Sequence, residues 1–187
     1  KAFRITNTNP TFDIATMVPS SELTVCDTFE LANDSDFGLG GASSAENFFT
    51  LEGYFINDGT NTLVGSHFAN LFLNGNTADN IGGTAETPIY FGAPTPEGQY
   101  VRTLTIDRGA GTTPGTITLG TNLTIGDETT PADYGTFTFT DGILELNDMS
   151  LRLNSAANDF SSTSATRSVF RGSTLSDLHL FGPGNLG

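Results

Sequence analysis

Apolar and polar residues alternate with a period of two along most of the chain. The clearest runs are four to six residues long, rich in Thr, Ile, Leu and Phe, and span 101–106, 116–119, 122–125, 136–140, 143–146 and 150–153. Such alternation puts successive side chains on opposite faces of a β-strand. No apolar stripe with helical spacing is longer than two turns. The sequence therefore predicts a fold built almost entirely from short strands.

Turn-forming residues separate these runs. Most of the 22 Gly and 8 Pro residues fall between the predicted strands, beside Asn and Asp. These residue types adopt turn conformations at low cost. Two stretches, 84–100 and 127–133, contain prolines and predict longer loops.

An internal repeat divides the sequence. Residues 65–75 align with 172–182 through the shared pattern Gly-Ser-x-(Phe/Leu)-small-(Asn/Asp)-Leu-x-Leu-x-Gly. We therefore predict a first repeat over 20–83, intervening strands and a loop over 84–119, and a second repeat over 120–187. Residues 1–19 fit neither copy well, and we interpret them as a cap, a preceding repeat or an exchanged strand.

Similar apolar pairs recur at the inward positions of successive runs. They are Leu104/Ile106, Ile117/Leu119, Leu123/Ile125, Phe137/Phe139, Leu144/Leu146 and Leu151/Leu153. Parallel strands stacked about 4.8 Å apart would place such residues above one another. The gaps between runs also lack the two-residue turns of tight hairpins. These features favour a parallel β-helix, or β-solenoid, over the alternative of an antiparallel β-sandwich.

Composition limits the classes of partner. Lys and Arg total 7 against 21 Asp and Glu, giving a formal net charge of −14. This charge opposes binding to nucleic acid or to an anionic membrane, and no apolar run is long enough to insert into a bilayer. The single cysteine, Cys26, excludes an intrachain disulfide. We expect a secreted, extracellular chain that is a processed product or a piece of a longer one.

The stretch 102–153 resembles a known family. The phrases at 104–107, 115–119, 122–125 and 135–146 are similar to the β-helical repeats of very large secreted surface proteins of Bacteroidota. The rungs at 53–60 and 71–83 extend the resemblance to about residues 20–187. It implies export by the type IX secretion system and a role as an adhesin, including the mobile adhesins of gliding cells, or as a cell-surface filament. It implies no particular ligand.

Acidic residues supply the candidate metal ligands. Calcium takes roughly six to eight oxygen ligands, many of them from carboxylates. The best local groupings are Asp34 with Asp36, and Asp127 with Glu128 and Asp133. Neither matches a known calcium loop, so solvated turn carboxylates are the competing interpretation and we expect no obligatory cofactor.

Threonines supply the candidate ligand face. Outward positions of the predicted strands carry Thr103, Thr105, Thr116, Thr118, Thr136, Thr138 and Thr140. Rows of hydroxyl groups could present donors and acceptors to surface glycans or order water as an ice-binding surface does. The simpler interpretation is that Thr suits exposed strand positions.

These observations predict a structural or adhesive segment of a bacterial cell-surface or filament protein, and not an enzyme. Neither His67 nor His179 has the sequence neighbours of a catalytic triad. The expected partners are neighbouring repeats, or copies of the chain stacked end to end. The alternatives are a carbohydrate-binding or polysaccharide-cleaving β-helix and, less favoured, an ice-binding solenoid.

Overall fold

The structure, a computed structural model, covers most of the predicted strands. It describes residues 3–6, 11–13, 21–32, 35–40, 46–57, 61–75, 88–92, 96–110, 113–126, 135–154, 157–159, 168–172 and 177–180. These residues form nineteen strands and one 3₁₀ helix, Pro96–Gln99. The expectation of an all-β chain is therefore confirmed.

The strands are short in the first third of the chain and include three long ones later. In chain order they are β1 (Phe3–Thr6), β2 (Thr11–Asp13), β3 (Glu22–Val25), β4 (Thr28–Ala32), β5 (Asp36–Gly38), β6 (Asn47–Leu51), β7 (Tyr54–Asn57), β8 (Thr62–Val64), β9 (Ser66–Gly75), β10 (Tyr90–Phe91), β11 (Tyr100–Ala110), β12 (Thr113–Pro114), β13 (Thr116–Thr118), β14 (Leu123–Ile125), β15 (Thr136–Glu145), β16 (Ser150–Leu153), β17 (Ala157–Asp159), β18 (Ser168–Arg171) and β19 (Asp177–Leu180).

Three sheets are formed by these strands. The first has the order β1-β4-β7, and the second has the order β10-β8-β5-β2. The third has twelve strands along the path β19-β16-β14-β11-β9-β6-β3, with β12, β13, β15, β17 and β18 attached. Consecutive strands β3, β4 and β5 therefore lie in three different sheets, and β6, β7 and β8 repeat that order. Each such pass is called a coil below.

Pairing within the sheets is almost entirely parallel. Among the described strand pairs only β11 with β12 is antiparallel. Phe3 pairs with Phe29, and Phe29 pairs with Phe55, so phenylalanine fills the same column on three successive strands, β1, β4 and β7. Leu123 and Phe137 both lie in the twelve-stranded sheet, on strands that pair with β11. The described pairing therefore shows that the antiparallel sandwich, our alternative, is wrong.

The core lies between the sheets and is filled by the inward residues of each strand. All twelve residues of the predicted inward pairs are buried. They stack as predicted, with Leu104 beside Phe137 and Ile117 beside Leu144. Near the N-terminal end the core becomes aromatic, since the Phe29 ring is stacked on that of Phe55 at a centroid distance of 5.7 Å.

The corner after the twelve-stranded sheet brings successive coils into backbone contact. A Cβ atom at Gly53 would lie 1.5 Å from the carbonyl oxygen of Asp27 in the preceding coil. No side chain fits in that space, so this corner requires glycine. At the equivalent bend of β15, Gly142 has φ +126° and the strand changes its partners from β11 to β13.

Candidate functional site

The outside of the twelve-stranded sheet carries four of the seven threonines predicted as a ligand face. Thr103 is the register partner of Thr136, and Thr105 is the register partner of Thr138. All four side chains are partly exposed and alternate with buried ones, so they point away from the core. They form a two-by-two block of hydroxyl groups on neighbouring parallel strands.

The other three threonines lie elsewhere. Thr116 and Thr118 belong to β13 and pair with the second half of β15. The Thr118 hydroxyl is 3.3 Å from a carboxylate oxygen of Glu145 on the next coil. Thr140, where the register of β15 on β11 shifts, lies two residues before the bend at Gly142. The structure therefore places the seven threonines on two ladders and a bend, and does not bring them together on one face.

An aromatic pair lies beside the threonine block, and our sequence analysis did not identify it. The rings of Phe48 on β6 and Phe72 on β9 are nearly parallel, with an interplanar angle of 20° and centroids 6.4 Å apart. Both side chains are partly exposed on the outside of the sheet. Strand parity could have found them, because Phe72 lies between the inward residues Leu71 and Leu73.

Polar side chains border this pair on the same sheet. A guanidinium nitrogen of Arg102 is 2.8 Å from a carboxylate oxygen of Glu46, and both side chains are partly exposed. The Asn70 amide donates to the other oxygen of Glu46 at 3.2 Å and to the carbonyl of Asn47 at 3.2 Å. The charges of Arg102 and Glu46 therefore offset each other, and the group is held in a fixed arrangement.

The predicted calcium ligands are only partly covered by the structure. Asp34, Asp127, Glu128 and Asp133 lie outside the described residues. Asp36 is described, and one of its oxygens accepts hydrogen bonds from the backbone N–H and the hydroxyl of Thr62, at 3.0 and 2.7 Å. In the part of the chain that the structure describes, no three His, Cys, Asp or Glu side chains are grouped as metal ligands would be. The calcium prediction stays untested for the other four residues.

A cleft of about 380 Å³ lies at the corner that follows the twelve-stranded sheet. It is lined by Cys26, Glu52, Asn74, Gly75 and Asp107, which come from successive coils. A hydrogen bond with the Glu52 carboxylate, together with slight desolvation and the carboxylate's charge, raises the pKa of the exposed Cys26 thiol. A raised pKa keeps the thiol protonated, which is the opposite of what a nucleophilic cysteine needs. The cleft does not activate Cys26.

A buried arginine lies at the same corner. Arg108 is 0% exposed, and its guanidinium donates to the carbonyl of Asn74 at 2.6 Å and to the carbonyl of Gly53. These carbonyls belong to the two preceding coils, so one side chain connects three coils. Its position indicates a structural role.

The two histidines are separated. The His67 ring packs on the ring of Tyr100, with centroids 4.6 Å apart. His179 lies in β19, for which the structure describes the backbone alone. The residue in register with it is Arg152.

Comparison with known proteins adds no relative. No family model, no curated protein and no solved structure matches the chain. In the described residues there is also no helix with the length and apolar character needed to cross a membrane.

Proposed function

We propose that the chain is a β-solenoid that serves as a rigid structural or adhesive segment of an extracellular bacterial surface or filament protein, without a catalytic role. The observation that carries this proposal is the parallel, in-register repetition of three strands per coil, as in the column Phe3–Phe29–Phe55. Stacked coils give length and stiffness because strands inside the stack are hydrogen-bonded to the coils before and after them, as β4 is to β1 and β7.

Surface charge supports the proposal. The net charge of −14 keeps copies of such a segment apart in solution. The sequence resemblance to Bacteroidota surface proteins also supports the proposed function. The same resemblance supports export of the chain through the type IX secretion system. The only described thiol has a raised pKa, which suits a scaffold better than a nucleophilic enzyme.

End-to-end contacts are part of the proposal. Strand β3 is the last described strand at its end of the twelve-stranded sheet. A strand at a sheet edge presents backbone donors and acceptors that pair readily with another strand. We propose that a neighbouring repeat or another copy of the chain supplies that strand.

Two measurements test the proposal. In Thr103→Cys/Thr136→Cys the two cysteines are register partners on neighbouring parallel strands and should form a disulfide, because a Cα separation of about 5 Å permits one. Cysteines that stay reduced under oxidising conditions would contradict the stacked coils. The surface location is tested with an epitope tag inserted between Asn147 and Asp148, an exposed turn, in the natural producing cell. An antibody should label intact cells. Labelling only after lysis would refute an extracellular role.

A polysaccharide-cleaving enzyme is the second candidate, and one feature favours it. Glu52 and Asp107 line the same cleft, and β9 lies between their strands. Two strand spacings of about 4.8 Å separate their backbones, which is near the separation of about 6.5–9.5 Å between the carboxyl groups of inverting glycosidases. Release of reducing sugar from a polysaccharide, abolished in Glu52→Gln and Asp107→Asn, would establish this candidate. We expect no release.

A further inference from the structure

We infer that the outer face of the twelve-stranded sheet around Phe48 and Phe72 binds uncharged polysaccharides. The aromatic patch is defined here as Phe48 and Phe72 with the adjacent Thr50, Thr103 and Thr105. This inference rests on the proposed extracellular adhesive function and gives that function a class of ligand.

The two phenylalanines do not serve the core. Strand parity directs Phe49 and Leu71 inward, where they are 1% and 0% exposed. The same parity directs Phe48 and Phe72 outward, where they stay partly exposed. Most of the other outward residues of this face are polar, with threonine the commonest of them beside Glu22, Asn70 and Arg152. Threonine meets the steric preference of a strand without exposing much apolar surface. An aromatic pair in a threonine-rich face leaves apolar area in contact with water, and such areas mark binding surfaces.

The register puts aromatic and hydroxyl groups in one array. Phe48 is followed across the sheet by Asn70 and Thr103, and Thr50 is followed by Phe72 and Thr105. The aromatic rings are therefore diagonal neighbours. Phe72 has the hydroxyl groups of Thr50 and Thr105 on either side, and Phe48 lies between Glu22 and Asn70. The faces of aromatic rings carry partial negative charge, which attracts the C–H-rich face of a pyranose ring. Hydroxyl groups of a sugar can then donate to and accept from the threonines.

Charged groups beside the patch are matched to a neutral polyol. Arg102 and Glu46 form an ion pair at 2.8 Å, so together they offer donors and acceptors to a sugar diol without a net charge. The exposed Glu22, in register with Phe48, adds one negative charge at the edge of the patch and disfavours an anionic ligand there. The whole chain carries −14, which repels polyanions at ordinary ionic strength. A polycation would be attracted to the acidic surface at large and not to this patch. An uncharged polysaccharide is the ligand that all of these groups accept.

The shape of the patch favours binding along the length of a polysaccharide over binding of its terminal sugar. The patch extends two strand spacings from β6 to β11, and the adjoining Thr136 and Thr138 continue it to β15, three spacings or about 14 Å from β6, across an open sheet face. A terminal sugar or a small ligand is normally held in a concave pocket. An open face of this length contacts several consecutive sugar rings from one side.

The experiment compares binding of the full chain to insoluble or gel-immobilised cellulose, xylan, starch and agarose with binding to the polyanion alginate. We expect retention by at least one neutral polymer and none by alginate. Phe72→Leu keeps apolar volume but removes the ring, and should weaken retention about tenfold. Phe48→Leu should act similarly. Tyr54→Leu is the matched control, because Tyr54 is 49% exposed on a different sheet, and it should bind as the parent does.

The outcomes separate this inference from the function on which it rests. Failure of all neutral polymers to bind, or equal binding of the parent and Phe72→Leu, overturns the aromatic patch as a glycan site. Sedimentation showing a dimer that Phe72→Leu dissociates, without glycan binding, overturns it in favour of a contact between copies. In each case, antibody labelling of intact cells would still support the proposed extracellular role, even though the glycan site is ruled out. Labelling only after lysis would refute the extracellular role, whichever polysaccharide the protein binds.

Discussion

Replacing Arg108 tests whether corner hydrogen bonds hold successive coils together. Arg108 is fully buried, and its two described hydrogen bonds go to backbone carbonyls of Asn74 and Gly53. Arg108→Met keeps much of the side-chain length and apolar stem. It removes the donors and leaves two carbonyls of neighbouring coils without them.

The change in the free energy of unfolding of Arg108→Met depends on two opposing contributions, the loss of hydrogen bonds and the removal of a buried charge. Each buried carbonyl that loses its partner costs about 1–3 kcal/mol, so two carbonyls cost roughly 2–6 kcal/mol. Removing a buried cation recovers part of its desolvation penalty. Because the Arg108 donors are charged and reach two separate coils, we expect the cost of the two unpaired carbonyls to exceed the desolvation energy that is recovered. Arg108→Met should lower the free energy of unfolding by about 2–4 kcal/mol.

Urea unfolding followed by far-ultraviolet circular dichroism measures this difference. Arg152→Met is the control, because Arg152 is exposed on the outside of the same sheet. It should change stability by less than about 0.5 kcal/mol. An Arg108→Met protein as stable as the parent, or more stable, would show that the buried charge costs more than its hydrogen bonds contribute. The corner would then not depend on this side chain.

Other substitutions probe the corner and the core. Gly53→Ala should cost about 1–3 kcal/mol, because its Cβ would overlap a backbone carbonyl, whereas Gly40→Ala meets only a serine side chain and should cost less. Glu52→Ala removes the carboxylate that raises the pKa of Cys26. At mildly alkaline pH the thiolate fraction should rise, and alkylation by iodoacetamide should be faster; an unchanged rate would refute this cause. Phe29→Ala opens a cavity in the aromatic core and should cost about 3–5 kcal/mol by urea unfolding.

Strand content and the inward residues could be predicted from the sequence because they depend on local parity. Leu151 and Leu153 alternate with polar neighbours, and both are fully buried. The sheet to which each strand belongs depends on where the chain turns, and turns vary in length. The alternation in 136–146 reads as two strands, yet the structure forms one strand, β15, that bends at Gly142. Only coordinates reveal such a bend.

Sequence alignment equates Leu71 with Leu178, and the structure gives these residues different positions. Leu71 stands in the column of Leu104. Leu178 stands in the column of Leu151. Both β14 and β15 pair with β11, β14 at its beginning and β15 further along it. A pairwise alignment carries no information about such a shift along the strand direction.

Only part of the candidate site could be predicted from the sequence, because the register between strands is not visible there. Threonine rows were visible because identical residues recur, and four of them are adjacent in the structure. Parity marks Phe48 and Phe72 as outward residues one at a time, but it does not show that they are neighbours. They meet only through the register of β6 and β9, which the sequence does not give.

The separation of inward from outward positions connects stability with function in this chain. Inward residues such as Phe49 and the corner contacts of Arg108 fix the register of each coil. Once the register is fixed, an outward residue can change from threonine to phenylalanine with little effect on packing, since cross-strand pairs contribute only about 0.2–1 kcal/mol each. The outer face of a sheet can therefore gain ligand-binding residues without a change in the fold. Phe72→Leu should therefore weaken glycan retention about tenfold at an almost unchanged urea midpoint. Arg108→Met should lower the midpoint and leave retention intact below the unfolding transition.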